Sequence, residues 1–371
     1  MDEHLRALTF LSYNRVVDVN DILLNIDNDL YYLIIRELIR KQVIKKAIIV
    51  YISDGYSETI INGIKILFVK KYSSLPKEAL STRFLWVRGD KKEYSPWIRA
   101  GVWKRRIFYG ASSYYFPYRT YGYDGILVDE NTHYKKIKES YTRPLPLKFI
   151  KPANEEVFRK LGDIPKKYDI CVFSTLHKSP QTFRKLYALF PSLQYVIIGR
   201  DNLNEIEDLK DFCNITFAGF IPHSEANKLL NQSKIGVVLS EKDGAPRVII
   251  ESMSAGLPQL LNEKLVIGKS YLNENTGCFF GESNLKEKVE ELLSKYQIME
   301  PEKYYKEHFS LHKAVDQMEN NIQKIDLLTD YSAFFKLKIL FYNLFIIAKT
   351  RGHFMKRYCL KKFYDDIDIF Q

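Results

Sequence analysis

Short apolar runs alternate with longer amphipathic stretches along most of this chain. In the first half, Leu8 to Leu11, Ala47 to Ile52, Ile64 to Val69, Thr82 to Val87 and Ile126 to Val128 are strand-like runs of apolar and β-branched residues. Such continuous runs mark strands buried on both faces, as in a parallel sheet covered by helices. Between the first two, Asn20 to Val43 sets Ile22, Leu23, Ile26, Leu30, Leu33, Ile34 and Leu38 on one broad face, which predicts a helix. From Arg143 to Phe158 the rhythm stops. Pro144, Pro146 and Pro152 discourage helix there and predict a linker.

After the linker the alternation restarts. Ile170 to Phe173, Tyr195 to Ile198, Asn214 to Phe217 and Ile235 to Leu239 are predicted strands. Thr182 to Leu189, Ser224 to Gln232 and Pro246 to Ala255 are predicted helices, the last closed by Gly256. The pattern divides the chain into an α/β domain over 1–148, a second over 149–330 and a tail over 331–371. Two parallel-sheet domains in series make a cleft, and ligands bind in such folds at the carboxyl ends of the strands.

Composition narrows the function. With 371 residues and 46% hydrophobic positions the chain has material for two cores. The net charge of +11 suits phosphate-bearing substrates, an anionic membrane surface or nucleic acid. Zinc-finger spacing and the aromatic ribonucleoprotein strand motif are both missing, so nucleic acid is not an expected partner. Cys171, Cys213, Cys278 and Cys359 lie far apart, which argues against a metal site or a disulfide framework and fits buried thiols in a reducing compartment. The N-terminus lacks the features of a signal peptide, and no apolar stretch reaches the roughly 20 residues that span a bilayer. A cytoplasmic location is the expectation. The tail joins an apolar and aromatic stretch, Phe334 to Phe345, to Lys349, Arg351, Lys356, Arg357, Lys361 and Lys362. It reads either as a terminal helix packed on the body or as a segment attracted to anionic lipid on the inner membrane face.

The most informative stretch runs from Ile235 to Pro258: a buried strand, a glycine-bearing turn, then a helix. Pro246 suits the first helical position, where its missing N–H would be unpaired anyway. The N–H groups after Gly244 then form a positive helix end suited to a diphosphate. Arg247 in the first turn opposes the helix dipole, so it faces a phosphate or carboxylate, or is simply a surface arginine. Glu251 lies beside the apolar Val248, Ile249 and Ile250 and needs a donor there: a ribose diol, or a salt bridge to a lysine.

Asp243, seven intervening residues, Glu251 and then Ala255-Gly256-Leu257-Pro258 resemble the donor-binding motif of retaining glycosyltransferases of group 1, also called family 4. Phe149 to Phe158 is similar to that family's inter-domain linker, and the strand ends at Gly199 and Gly219 are similar to those before its nucleotide pocket. The resemblance is specific over roughly 149–282 and faint before it. It implies a GT-B fold, with two Rossmann-like domains facing across a cleft. It also implies Glu251 on the nucleotide ribose, Asp243 on hydroxyls of the donor sugar, and Gly244, Ala245, Pro246 and Val248 against sugar and phosphates, with Gly199 and Thr175 at the pocket edge.

Three departures stand out. The leading glutamate is Asp243. The family's arginine position holds Thr175, so its lysine role falls to Lys178 or Arg184, with Arg247 reaching the diphosphate. The N-terminal glycine-rich turn is replaced by Ser12-Tyr13-Asn14-Arg15.

The resemblance implies transfer of a sugar from a nucleotide-sugar to a glycan or lipid-linked acceptor, in surface polysaccharide synthesis, with no cofactor and no metal. Helix end and basic side chains take the leaving-group charge. Arg88-Gly89-Asp90 and Gly110 to Ser113 follow strand-like runs, and line the acceptor side or are ordinary loops. The alternatives are an inverting or epimerising GT-B enzyme, and an inactive GT-B scaffold that binds a sugar nucleotide or a partner transferase.

Overall fold

A computed structural model describes residues 6–12, 16–89, 94–109, 123–129, 134–135, 138–139, 144–173, 180–199, 212–241, 247–265 and 268–328. In the first domain the order is β1 (Ala7–Leu11), α1 (Val19–Leu24), α2 (Leu30–Arg40), β2 (Lys46–Ser53), β3 (Ser57–Ile61), β4 (Ile64–Lys70), α3 (Lys77–Leu80), β5 (Phe84–Arg88), α4 (Ser95–Ala100), β6 (Arg105–Tyr109), β7 (Gly125–Val128) and β8 (Leu145–Lys148). The strands form one sheet in the order β3-β4-β2-β1-β5-β6-β7-β8. Every pairing is parallel except the β3–β4 hairpin. All five residues of β1 are buried, because apolar clusters cover both faces of the sheet.

In the second domain the order is β9 (Tyr168–Phe173), α5 (Pro180–Leu189), β10 (Tyr195–Ile198), β11 (Ile215–Gly219), α6 (His223–Asn231), β12 (Ser233–Val238), α7 (Arg247–Ser254), β13 (Gln259–Asn262), β14 (Gly277–Phe280), α8 (Leu285–Lys295), α9 (Pro301–His308) and α10 (Leu311–Asp326). Its sheet is wholly parallel, in the order β11-β10-β9-β12-β13-β14. Strand order reverses between β9 and β12 here and between β1 and β5 in the first sheet. The carboxyl ends at such reversals are the binding crevices of doubly wound sheets.

The structure departs from the sequence pattern in three places. The helix predicted over Asn20 to Val43 is two helices separated by a 3₁₀ turn at Ile26–Asn28. Asn25 closes α1, and the Asp29 carboxylate caps α2 by accepting from the N–H groups of Tyr31 and Tyr32 at 2.8 and 3.3 Å. Short polar side chains compete with the helix backbone in this way. Second, the start of the proline-rich linker is strand β8, with Pro146 in register with Ile126. Proline is tolerated there because β8 is an edge strand.

Third, α10 does not stay with the second domain. Ala314, Val315, Met318, Ile322 and Ile325 pack into the first domain's core, and Asn321 donates to the Lys148 carbonyl at 2.7 Å. The segment 149–330 is therefore not one contiguous domain.

Among the described residues no helix is long and apolar enough to cross a membrane. The tail over 331–371, with its proposed lipid contact and Cys359, lies outside them. Cys171 is buried and Cys278 partly so, but Cys213 is exposed, against the expectation of buried thiols.

Candidate functional site

Helix α7 carries Ile249, Ile250 and Met253 into the second core, which leaves Arg247 and Glu251 on one stripe of its other side. Its far end is fixed by glycine. Gly256 adopts φ +77°, its N–H donates to the Met253 carbonyl at 3.0 Å, and the Leu257 N–H donates to the Ser252 carbonyl at 2.9 Å. This is a Schellman cap, and it needs a residue that tolerates a left-handed backbone. The Gly-x-Pro element is thus the helix stop that feeds the chain into β13.

The near end of α7 follows β12 at the point of strand reversal. Arg247 Nη2 lies 3.0 Å from Glu251 Oε1, and their side chains are 43% and 12% exposed. Glu251 is therefore ion-paired, but to arginine and not to the expected lysine. An arginine four residues before a glutamate, in the first helical turn, is the unfavourable order relative to the helix dipole. The pair therefore adds little to helix stability.

Val248 is half-buried against the second core. Gly199 ends β10 at φ +126°, and its N–H donates to the carbonyl of Gly219, itself at φ +68°, over 2.8 Å. Of the sequence-predicted site residues, Asp243, Gly244, Ala245, Pro246, Thr175 and Lys178 lie outside the described residues, as do Asp90 and Gly110 to Ser113.

A second set of groups lies at the carboxyl edge of the first sheet, where Arg88 ends β5, Tyr109 ends β6 and Asp129 follows β7. Lys151, from the linker, forms an ion pair with Asp129, and their side chains are 11% and 3% exposed. The Tyr109 hydroxyl donates to the same carboxylate oxygen at 3.1 Å, and the Lys151 ammonium lies 5.5 Å from the Tyr109 ring centre. The Arg88 guanidinium sits 4.4 Å from the centre of the Tyr31 ring.

Burial pushes the Tyr31 hydroxyl up to about 12, with the charges of Arg88 and Arg247 opposing. Burial also lowers the Lys151 ammonium, against the pull of Asp129 and with help from Arg88 and Arg247. Arg247 thus acts electrostatically on both groups from the other domain, so the two strand-end sites share one cleft.

Sequence reading picked out Arg88 but not Tyr31, Tyr109, Asp129 or Lys151. The usable signal was position, since Arg88, Tyr109 and Asp129 stand at the ends of adjacent parallel strands.

The family model for glycosyl transferases group 1 matches residues 156–316. No curated protein sequence matches the chain. Among solved structures, a glycosyltransferase from Rickettsia africae is similar at a TM-score of 0.64 and 13% identity, over 87% of this chain and 99% of that one. A sucrose-phosphate synthase from Thermosynechococcus elongatus is similar at 0.63 and 11%, over 86% and 99%. HepE of Anabaena, solved with UDP and glucose, is similar at 0.61 and 9%, over 86% and 100%. At such identities the likeness is one of fold. Residues 156–316 therefore match the group 1 glycosyl transferase model, within a two-domain chain of GT-B fold.

Proposed function

We propose that the chain is a retaining glycosyltransferase that moves a sugar from a nucleotide-sugar to a glycan or lipid-linked acceptor, in the synthesis of a surface polysaccharide. The observation that carries the reading is Glu251, a nearly buried carboxylate on the exposed stripe of α7 whose ion-pair partner among the described residues is the half-exposed Arg247. A ribose diol offers such a carboxylate two donors. Arg247 is then released toward the diphosphate, where it and the N-terminus of α7 take up leaving-group charge without a metal. Asp243 and Lys178 complete the donor site in this reading, as donor-sugar and phosphate ligands.

UDP and UDP-glucose are the first ligands to test, because HepE was solved with each of them. Calorimetry should give a saturable site on the parent protein, weakened at least tenfold by Glu251→Ala and less by Arg247→Ala. Equal nucleotide affinity in Glu251→Ala and parent, across a panel of nucleotide sugars, would sink the assignment. The anomeric configuration of the first-formed product, read by NMR, tests retention separately.

A further inference from the structure

We propose that the carboxyl edge of the first sheet binds an oxyanion carried by the acceptor, and that Arg88 is its ligand. The inference rests on the glycosyltransferase reading only for the word acceptor. The binding site itself is argued from the first domain.

Arg88 ends β5, beside the reversal of strand order between β1 and β5. Its guanidinium lies on the Tyr31 ring, which is held from other sides by Phe10 at 5.1 Å, Trp86 at 5.5 Å and Phe149 at 6.2 Å between ring centres. An arginine stacked in this way keeps its edge N–H groups available for bonds in the guanidinium plane. The Nε of Arg88 is buried and makes no hydrogen bond, and among the described residues no carboxylate lies within ion-pair distance of it.

The neighbouring charges do not fill that gap. Lys151 is matched by Asp129 and Arg247 by Glu251. Asp29, which shares the electrostatic surroundings of Arg88, is taken up by the N–H groups of Tyr31 and Tyr32 and by the Tyr51 hydroxyl at 3.1 Å. Among the described residues of this edge, Arg88 is left without a carboxylate in ion-pair contact. The Tyr31 ring and the charge of Asp29 favour the guanidinium without giving its edge an acceptor, whereas a phosphate or carboxylate supplies two oxygens to that edge. Arg88 belongs to the sheet opposite α7, which places the anion on the acceptor side of the cleft.

The test uses the full chain, its Arg88→Met and Arg88→Lys variants, and three probes: UDP, glycerol 3-phosphate and glucuronate. With UDP saturating, the parent should bind at least one of the two anionic probes, and which one it binds separates phosphate from carboxylate. Arg88→Met should weaken that probe at least tenfold while UDP affinity stays within twofold, and Arg88→Lys should fall between. Thermal unfolding of Arg88→Met without ligand should change little, since the variant exchanges a half-buried guanidinium for an apolar contact on the Tyr31 ring; a merely structural arginine would lower it.

The inference is overturned if neither probe binds the parent, or if Arg88→Met binds the probe like the parent. It is also overturned if Arg88→Met loses UDP and probe equally, which would assign Arg88 to the donor diphosphate. Failure of the donor reading is separate: it appears as undiminished UDP binding by Glu251→Ala, whatever Arg88→Met does.

Discussion

Replacing Asp129 by asparagine isolates the energetics of the cleft. The change leaves an amide oxygen to accept from the Tyr109 hydroxyl but removes the charge that partners Lys151. Lys151 is then a cation at 8% exposure without a counter-ion. Breaking one side of a buried pair costs about 3–5 kcal/mol. The protein has an escape, which is to release the lysine proton. From an ordinary lysine at pH 7 that costs about 4.6 kcal/mol, and at pH 9 about 1.9 kcal/mol. The penalty of Asp129→Asn should therefore lie near 3–4.6 kcal/mol at pH 7 and not exceed about 2 kcal/mol at pH 9.

The sign follows from proton counting. In the variant, folded Lys151 has the more depressed pKa, the unfolded chain binds the extra proton across the window, and variant stability rises with pH relative to the parent. Urea unfolding followed by tryptophan fluorescence measures this cleanly, because Trp86, Trp97 and Trp103 are the chain's three tryptophans and are buried in the first domain. The signal reports that domain even if the two domains unfold separately. Adding Lys151→Met to the variant removes the stranded charge and should restore most of the loss. A penalty under about 1 kcal/mol at pH 7, or one equal at both pH values, would refute the account.

Three further outcomes are expected. A Cβ on Gly277 would lie 1.9 Å from the Gln259 carbonyl oxygen, so Gly277→Ala should force β13 and β14 apart and cost about 1–3 kcal/mol; far-UV circular dichroism melts will show it, and an unchanged transition would contradict the strand register. Hydrogen bonds from Lys288 and Lys295 pull the Glu291 carboxyl down to about 2, so its contribution is present above the ordinary carboxylate range and is lost as pH falls toward 2. Glu291→Gln should accordingly lower stability slightly at pH 7, by no more than the ~1 kcal/mol of an exposed pair, with the difference narrowing as pH falls from the ordinary carboxylate range toward 2. Asn154→Ala removes donation to the Asp27 carbonyl at 2.9 Å and to Asn28 Oδ1 at 3.1 Å, and should cost about 1–3 kcal/mol and speed tryptic cleavage at Arg159; cleavage at the parent rate would count against the linker's role as a clamp.

The strands that sequence reading found are buried on both faces, except the edge strand β11 with its exposed Thr216. β10 was read to the residue, and β2, β4, β9 and β12 to within one or two, because continuous apolar runs leave no other explanation. The strands it missed each carry a disguise. β3 alternates half-buried and exposed positions at the sheet edge, β6 opens on Arg105 and Arg106, β8 holds Pro146, β13 begins and ends on Gln259 and Asn262, polar but buried, and β14 is a four-residue edge strand that opens on Gly277. Arg105 is 3% exposed because its guanidinium caps the Leu328 carbonyl at the end of α10, a contact between residues 223 positions apart. The candidate site divides the same way. Arg247 and Glu251 were each picked out on one helix, though not as partners of one another, whereas Arg88, Asp129 and Lys151 are brought near one another by strand order and the linker.

The linker explains how two half-sites on separate sheets are held together. Helix α7 is tied from behind: Ser254 Oγ donates to the Phe158 carbonyl at 2.6 Å, and Phe158 is itself buried in the second core. The linker before Phe158 is held in turn by Tyr305 of α9. The tyrosine hydroxyl accepts from the Ala153 N–H at 3.1 Å and donates to Glu155 at 2.9 Å. Glu155 accepts as well from the Leu311 N–H at 2.7 Å, at the start of the helix that returns to the first domain. The same linker begins with Lys151, whose charge is fixed on Asp129. Residues 151–158 thus connect the helix that carries Glu251 to the strand ends that carry Arg88. A segment buried at both ends, at 151–154 and Phe158, and hydrogen-bonded on both sides transmits displacement instead of absorbing it. The spacing between Glu251 and Arg88 is therefore set by the linker, and on the proposed roles substitutions at Asn154 or Tyr305 should alter affinity for both UDP and the anionic probe without touching either.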